Sequence, residues 1–259
     1  MNMLNKVPAV TLIFWIIKIM ATTVGETAAD FLSLNLKLGL TNTSLLMAAL
    51  LLVVLFFQLR ARRYVPALYW TVVVFISVVG TLISDNLVDN FGVSLQTTSL
   101  LFGAALVLVF GLWYASEKTL SVHTIQTTRR ELFYWAAILC TFALGTSAGD
   151  LIGESFGLGY PWSALLFGSA IALTFLAYRY LHLPAVTAFW AAYILTRPLG
   201  ASLGDWLTQP AKAGGLGVST TLISSLFLVT IVLLVGFLSR QQALADDLAT
   251  TPATQPTRR

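Results

Sequence analysis

The 259 residues are 57% hydrophobic and only 10% charged, where an average soluble domain carries about 25% charged residues. With a mean hydropathy of +0.83, the chain belongs in a bilayer, which excludes a cytosolic enzyme, a nucleic-acid-binding protein and a disordered chain. The net charge of +4 is topology information, because the basic residues sit in short loops between apolar segments.

Eight apolar stretches have spanning length, at about 8–33, 43–60, 65–90, 96–115, 131–156, 160–180, 184–208 and 218–239. The expected fold is all-α: an integral membrane bundle of eight transmembrane helices. The first stretch contains Lys18 and runs on into the polar Ala21–Asp30 without a convincing cleavage site. It reads as a retained helix and not as a signal peptide. Odd-numbered stretches are longer and end in polar, Gly-rich, acidic sequence, whereas even-numbered ones are plainer. Eleven of the lysines and arginines fall on one side: Lys6, Arg60, Arg62, Arg63, Lys118, Arg129, Arg130, Arg179, Arg240, Arg258 and Arg259. Only Lys37 and Lys212 fall on the other, so both termini should be cytoplasmic. The tail 241–259, rich in Ala, Thr, Pro and Asp, is expected to be disordered.

The single cysteine, Cys140, lies among apolar residues and reads as a packed core thiol. His123 and His182 fall between stretches, so no imidazole is available inside the membrane for a metal.

A fourfold repeat runs through the odd stretches: Trp, nine residues, Gly, four residues, Asp. It occurs as Trp15–Gly25–Asp30, Trp70–Gly80–Asp85, Trp135–Gly145–Asp150 and Trp190–Gly200–Asp205. Successive copies are offset by 55, 65 and 55 residues, with the ten extra residues in the Glu117–Glu131 loop. Each copy contains two spans and enters the membrane in the same direction. The repeats are therefore parallel, and parallel repeats imply a pseudo-axis along the membrane normal. Two halves, 1–120 and 125–240, should superpose Asp30 on Asp150 and Asp85 on Asp205. The tryptophans read as belt residues at the inner interface. Fifteen helical residues separate each Trp from its Asp by about 22 Å. The aspartates then lie in the outer third of the membrane or at its outer rim, and both placements stay open.

Each repeat Asp has polar company one turn away. Glu26 with Asp30, Asp85 with Asp89, and Asp150 with Glu154 are i, i+4 pairs that share a helix face, while Asp205 has Gln209. Asn86 and Asn90 add neutral oxygens. Seven carboxylates, Glu26, Asp30, Asp85, Asp89, Asp150, Glu154 and Asp205, thus face the outer half, with Lys18 and Arg197 as the basic residues in the same spans. Five negative charges remain uncompensated if all ionise. Carboxyls in that position take up protons, bind a cation, or sit harmlessly wet at the rim. Carboxylate, amide and hydroxyl oxygens suit hard cations: Mn²⁺ first among the divalents, with Mg²⁺ and Ca²⁺ meeting the same chemistry. No resident cofactor is implied. Lys18 and Arg197 each precede a carboxylate by eight residues, Glu26 and Asp205 respectively. They read as internal counter-charges that a substrate could displace, or as buried ion pairs that fix helix packing. Arg197-Pro198-Leu199-Gly200 should kink or unwind its span. Small residues beside the acids, Ala29, Ser84, Gly149 and Gly204, permit close helix packing.

The G-x-S-x-G matches at Gly145–Gly149 and Gly200–Gly204 lie inside apolar spans without a histidine partner. They do not support a serine hydrolase, and no other catalytic constellation is present in the sequence. The segments Gly25-Glu26-Thr27, Asp85-Asn86-Leu87 and Arg197-Pro198-Leu199-Gly200, on this repeated frame, resemble a bacterial family of multi-pass, uncharacterised membrane-anchored proteins. The resemblance spans about residues 5–240 and implies an inner-membrane location and no particular activity. The residues themselves support two readings. One is a cation transporter using the repeat aspartates, coupled to protons. The other is a non-transporting scaffold or partner subunit with an acidic outer rim. The expected partners are the lipid bilayer and a small cation, with no nucleic acid.

Overall fold

The computed structural model describes residues 5–250, with side-chain surroundings through Ala245. Among these residues are eight long helices and no strand: α1 (Leu12–Asp30), α2 (Leu40–Arg60), α3 (Pro66–Asp85), α4 (Leu95–Glu117), α5 (Thr128–Asp150), α6 (Tyr160–Tyr180), α7 (Ala185–Thr208) and α8 (Thr220–Thr250). Local chemistry sets the starts. Thr11, Ser94 and Thr127 cap α1, α4 and α5 with side-chain oxygens, and Pro66 opens α3.

The odd helices form an inner ring in which α1 packs on α3, α3 on α5, α5 on α7 and α7 on α1. The even helices stand outside. Each leans on the inner helix of the following repeat: α2 on α3, α4 on α5, α6 on α7, and α8 back on α1. The packing is therefore cyclic.

The four repeat glycines show why the ring closes. A Cβ on Gly25 would overlap Ser77, and one on Gly200 would overlap Thr22. A Cβ on Gly80 would lie 2.6 Å from the Cβ of Phe142, and one on Gly145 would overlap Arg197. Thr22, Ser77, Phe142 and Arg197 each stand three residues before their own repeat glycine. Every glycine thus receives the same position of the next repeat, and the fourth receives that of the first. Threonines tie the closing seam, with Thr22 and Thr23 hydroxyls donating to the carbonyls of Thr196 (3.3 Å) and Gly200 (3.1 Å).

Gly80→Ala should cost about 1–3 kcal/mol through overpacking, read as a lower melting temperature in detergent. Gly111→Ala, where a Cβ meets nothing within 4 Å, should gain up to about 1 kcal/mol from helix propensity. Equal effects at the two positions would refute the close-approach account.

Seven of the helices are long and apolar enough to cross a membrane. The spanning windows of α1, α3 and α5 are 61, 67 and 61% buried, those of the outer helices only 11–17%. The outer helices present Leu45, Leu52, Leu100, Val107, Leu173 and Leu233 to the surroundings, an apolar surface far beyond that of a soluble monomer. The eighth helix, α7, is not apolar enough by the same measure. It carries Arg197, Pro198, Gly200, Gly204 and Asp205, and the other helices bury them.

The expected stretches coincide with the helices to within a few residues, with two exceptions. Pro8 and the Thr11 cap delay the start of α1 to Leu12. The tail expected to be disordered from Gln241 continues α8 through Thr250. Its Gln-Gln-Ala-Leu-Ala run has strong helix propensity, and Gln242 donates to the Tyr64 carbonyl at 2.9 Å. The rest of that tail lies outside the described residues.

Two further expectations are corrected. The repeat tryptophans Trp70, Trp135 and Trp190 are buried, not lipid-facing. Every repeat Trp, Trp15 included, follows an aromatic residue (Phe14, Tyr69, Tyr134, Phe189), and these pairs interlock in one aromatic layer at the end of the ring opposite the repeat aspartates. Of the kink or unwinding expected at Pro198, the unwinding does not occur: the residue lies inside a continuous α7, against Gly145 and Gly149. Cys140 is half-buried against the core. At the same end as the aromatic layer, Lys6 forms a fully buried ion pair with Glu131 (2.6 Å), and Gln58 donates to the same carboxylate.

Candidate functional site

The site is built at the other end of the ring, where the inner helices terminate. In repeats one to three the α-helix ends at the repeat Asp and passes directly into one wide turn: Phe31–Asn35, Asn86–Asn90 and Leu151–Ser155. These turns are closed by i to i+5 bonds, Leu36 N–H to Phe31 O (2.9 Å), Phe91 to Asn86 (3.1 Å) and Phe156 to Leu151 (2.9 Å). Such π turns are rare and concentrate at functional positions. Their recurrence at one position in three repeats makes them a built feature. Repeat four lacks the turn, and α7 runs on as regular helix to Thr208.

All seven carboxylates expected from the sequence line one cavity of about 210 Å³. Val88, Leu95 and Gln209 complete its wall. The residues form tiers one helical turn apart, about 6 Å for four residues. One residue past each repeat glycine stand Glu26, Thr81, Thr146 and Ala201. Four further on stand Asp30, Asp85, Asp150 and Asp205. The third tier is Leu34, Asp89, Glu154 and Gln209. Exposure follows the tiers: Asp89 and Glu154 are exposed, Asp30, Asp85 and Asp150 half-buried, Asp205 and Glu26 buried. The cavity is a funnel with an acidic wall. Tyr160, on α6, donates to Glu154 at its rim (3.2 Å). Asn86 and Asn90 do not line it. Their amides turn outward to Ser44 (2.7 Å) and Thr41 (3.3 Å) of α2, anchoring the wide turn.

Arg197 closes the funnel from below. Its Nη2 stands within hydrogen-bond reach of Glu26 Oε2 (2.7 Å), Thr146 Oγ1 (2.7 Å) and, closest of the three, Thr81 Oγ1. These are the equivalent positions of the three other repeats. Repeat four has Ala201 there. One guanidinium thus bridges the whole ring, which corrects the expected pairing of Arg197 with Asp205. The partner is Glu26 of the first repeat, because α7 packs on α1. Lys18 is likewise not paired with Glu26. Its Nζ lies over the rings of Phe142 (4.0 Å) and Tyr193 (4.2 Å). Sequence reasoning missed Thr81 and Thr146, although aligning the repeats on their glycines would have placed both beside Glu26.

Among the described residues, Glu26 is the one funnel carboxylate with a basic partner within 4 Å. Like charges so placed repel unless protons, water or a cation intervene. Among the same residues, no three carboxyl groups stand close enough to hold a metal ion directly.

The model of the family described as Repeat of Unknown Function (DUF347) matches residues 13–64, 68–119, 133–182 and 188–243. The chain belongs to the DUF347 repeat family. Each matched unit starts two residues before a repeat Trp and contains one inner and one outer helix. The DUF347 unit is thus the structural unit of the ring. Neither the curated proteins nor the solved structures contain a match.

Proposed function

We propose that this DUF347 protein is a multi-pass inner-membrane transporter of a hard divalent cation, Mn²⁺ foremost, coupled to protons. All eight helices cross the membrane, with both termini cytoplasmic. α7 does so inside the ring, where its polar residues are sheltered. The observation that carries this reading is the funnel: seven carboxylates, drawn from all four repeats, line one cavity, and one of them is balanced by a base. Ionisable groups placed this way in a membrane bundle mark ion pathways. The basic-residue bias puts the funnel's mouth on the outer side.

The tiers give a cation a graded path. Asp89 and Glu154 attract it, the four aspartates receive it, and Glu26 below is reached by displacing Arg197. The carboxyl groups stand apart, and the cavity has room for several waters, so the ion enters with part of its hydration shell. Manganese, magnesium and calcium all accept such mixed oxygen shells. Closed below by Arg197 and the aromatic layer, the funnel corresponds to an outward-facing state. Ligating carboxylates must be deprotonated, so binding expels protons from the cluster and couples the two fluxes.

The test uses proteoliposomes with a pH dye inside, a clamped membrane potential and a Mn²⁺ gradient. Mn²⁺ flux with an opposing change of internal pH is expected. Flux at constant internal pH removes the coupling. No flux of Mn²⁺, Mg²⁺ or Ca²⁺ in either direction removes transport and favours the scaffold reading.

A further inference from the structure

One buried charged group has no place in the funnel. Lys18 is fully buried, and among the described residues its Nζ has no hydrogen-bond partner. It is held between the faces of Phe142 from α5 and Tyr193 from α7. The same position in the other repeats is Val73, Ile138 and Tyr193, so the amine is a departure from an apolar pattern, not part of the repeat. The charged group that acts on it is Arg197, a like charge from α7. The titratable group against it is the Tyr193 phenol. At this level α3 offers Val73 and Ser77, α5 offers Ile138 and Phe142, and α8 carries no charged residue before Arg240.

A structural lysine would have an acceptor, as Lys6 has in Glu131 and the Leu59 carbonyl. Lys18 has ring faces instead. Such a cage accommodates both forms of an amine. The ammonium is held by the ring quadrupoles, and the neutral amine is at ease among apolar walls. Arginine has no such second state, whereas lysine does.

We propose that Lys18 is a proton-binding site of the transport cycle, directly beneath the Arg197 gate. The inference rests on the transport reading above and adds where the proton is carried. Nζ takes up a proton as –NH₃⁺ while the bundle is open to the inner side and gives it up as –NH₂ to the water of the funnel when the cation arrives, so proton and cation cross in opposite directions. A cation arriving at Glu26 frees the Arg197 guanidinium, and the added positive charge next to Lys18 drives its proton off. Cation entry and proton release are thereby linked across the gate.

Lys18→Met and Lys18→Arg, reconstituted beside the wild type with Mn²⁺ as the probe, test the assignment. Methionine has similar volume and no proton to exchange. Lys18→Met should lower the protons moved per Mn²⁺ ion and flatten the pH dependence of Mn²⁺ flux. It should also melt no lower than wild type, since an unpartnered buried charge has been removed. Lys18→Arg should slow Mn²⁺ flux, because its charge is permanent. Unchanged proton movement and an unchanged pH profile in Lys18→Met, with Mn²⁺ flux intact in the wild type, overturn the Lys18 assignment and leave the funnel standing. Absence of Mn²⁺ flux in the wild type overturns both. A Lys18→Met protein that melts lower or fails to fold, whether or not Lys18→Arg folds, overturns the assignment and makes Lys18 a packing residue.

Discussion

Asp150→Asn should abolish most cation transport while leaving the protein at least as stable as wild type. Asp150 lines the funnel from the third repeat, with no basic partner within 4 Å among the described residues. Removing one of the carboxylates that face the partly hydrated cation should weaken its binding by roughly 10- to 100-fold, about 1.4–2.8 kcal/mol. The same change removes one charge from a crowd of like charges, so folding gains or is unaffected. Flux in proteoliposomes and melting temperature in detergent are the two readouts. A residue needed for structure would lose both together. If Asp150→Asn transports normally, the tier of aspartates is not the site.

The second large effect is expected at the floor of the funnel. Arg197 is fully buried and bonds to Glu26, Thr81 and Thr146. Removing one partner of a buried pair leaves the other charge stranded, at a cost of about 3–5 kcal/mol. Arg197→Met, which strands Glu26, should therefore be severely destabilised. Glu26→Gln should lose less, because the guanidinium keeps Thr81, Thr146 and the Thr22 carbonyl. The double variant should recover a large part of the Arg197→Met loss. Coupling between contacting residues runs to about 0.5–3 kcal/mol. A parallel cycle between Arg197 and Asp205 should show less. Stronger coupling to Asp205 than to Glu26 would contradict the geometry of the floor.

That contrast shows where the sequence stops being legible. The Trp–Gly–Asp register fixes each repeat, and with it the common depth and common face of the four aspartates. Those are properties of single helices, and their spacing survives folding. The partner of Arg197 is a property of the ring. Eight residues along the same helix pointed to Asp205, but Glu26 became the neighbour only when repeat four closed on repeat one. The buried tryptophans follow from the same closure, since an aromatic residue on an inner helix meets other helices before it meets lipid. The repeat glycines were readable as a pattern, but their role needed the position three residues earlier in the next repeat. The wide turns after Asp30, Asp85 and Asp150 left no signal in hydropathy, because an i to i+5 bond changes geometry without changing composition. α7 shows the opposite case. Its polar residues weaken it as an isolated span, yet the periodic repeat required a helix there.

On the transport reading one cation site is shared by four repeats, and its test is equilibrium binding of Mn²⁺ to the purified protein. Free Mn²⁺ can be followed by its electron paramagnetic resonance signal as protein is added. Saturable binding of one ion per chain, accompanied by proton release, is expected. Asp30→Asn, Asp85→Asn, Asp150→Asn and Asp205→Asn should each weaken it by a comparable factor, roughly 10- to 100-fold. Absence of saturable binding, or a loss confined to the aspartate of a single repeat, would contradict it.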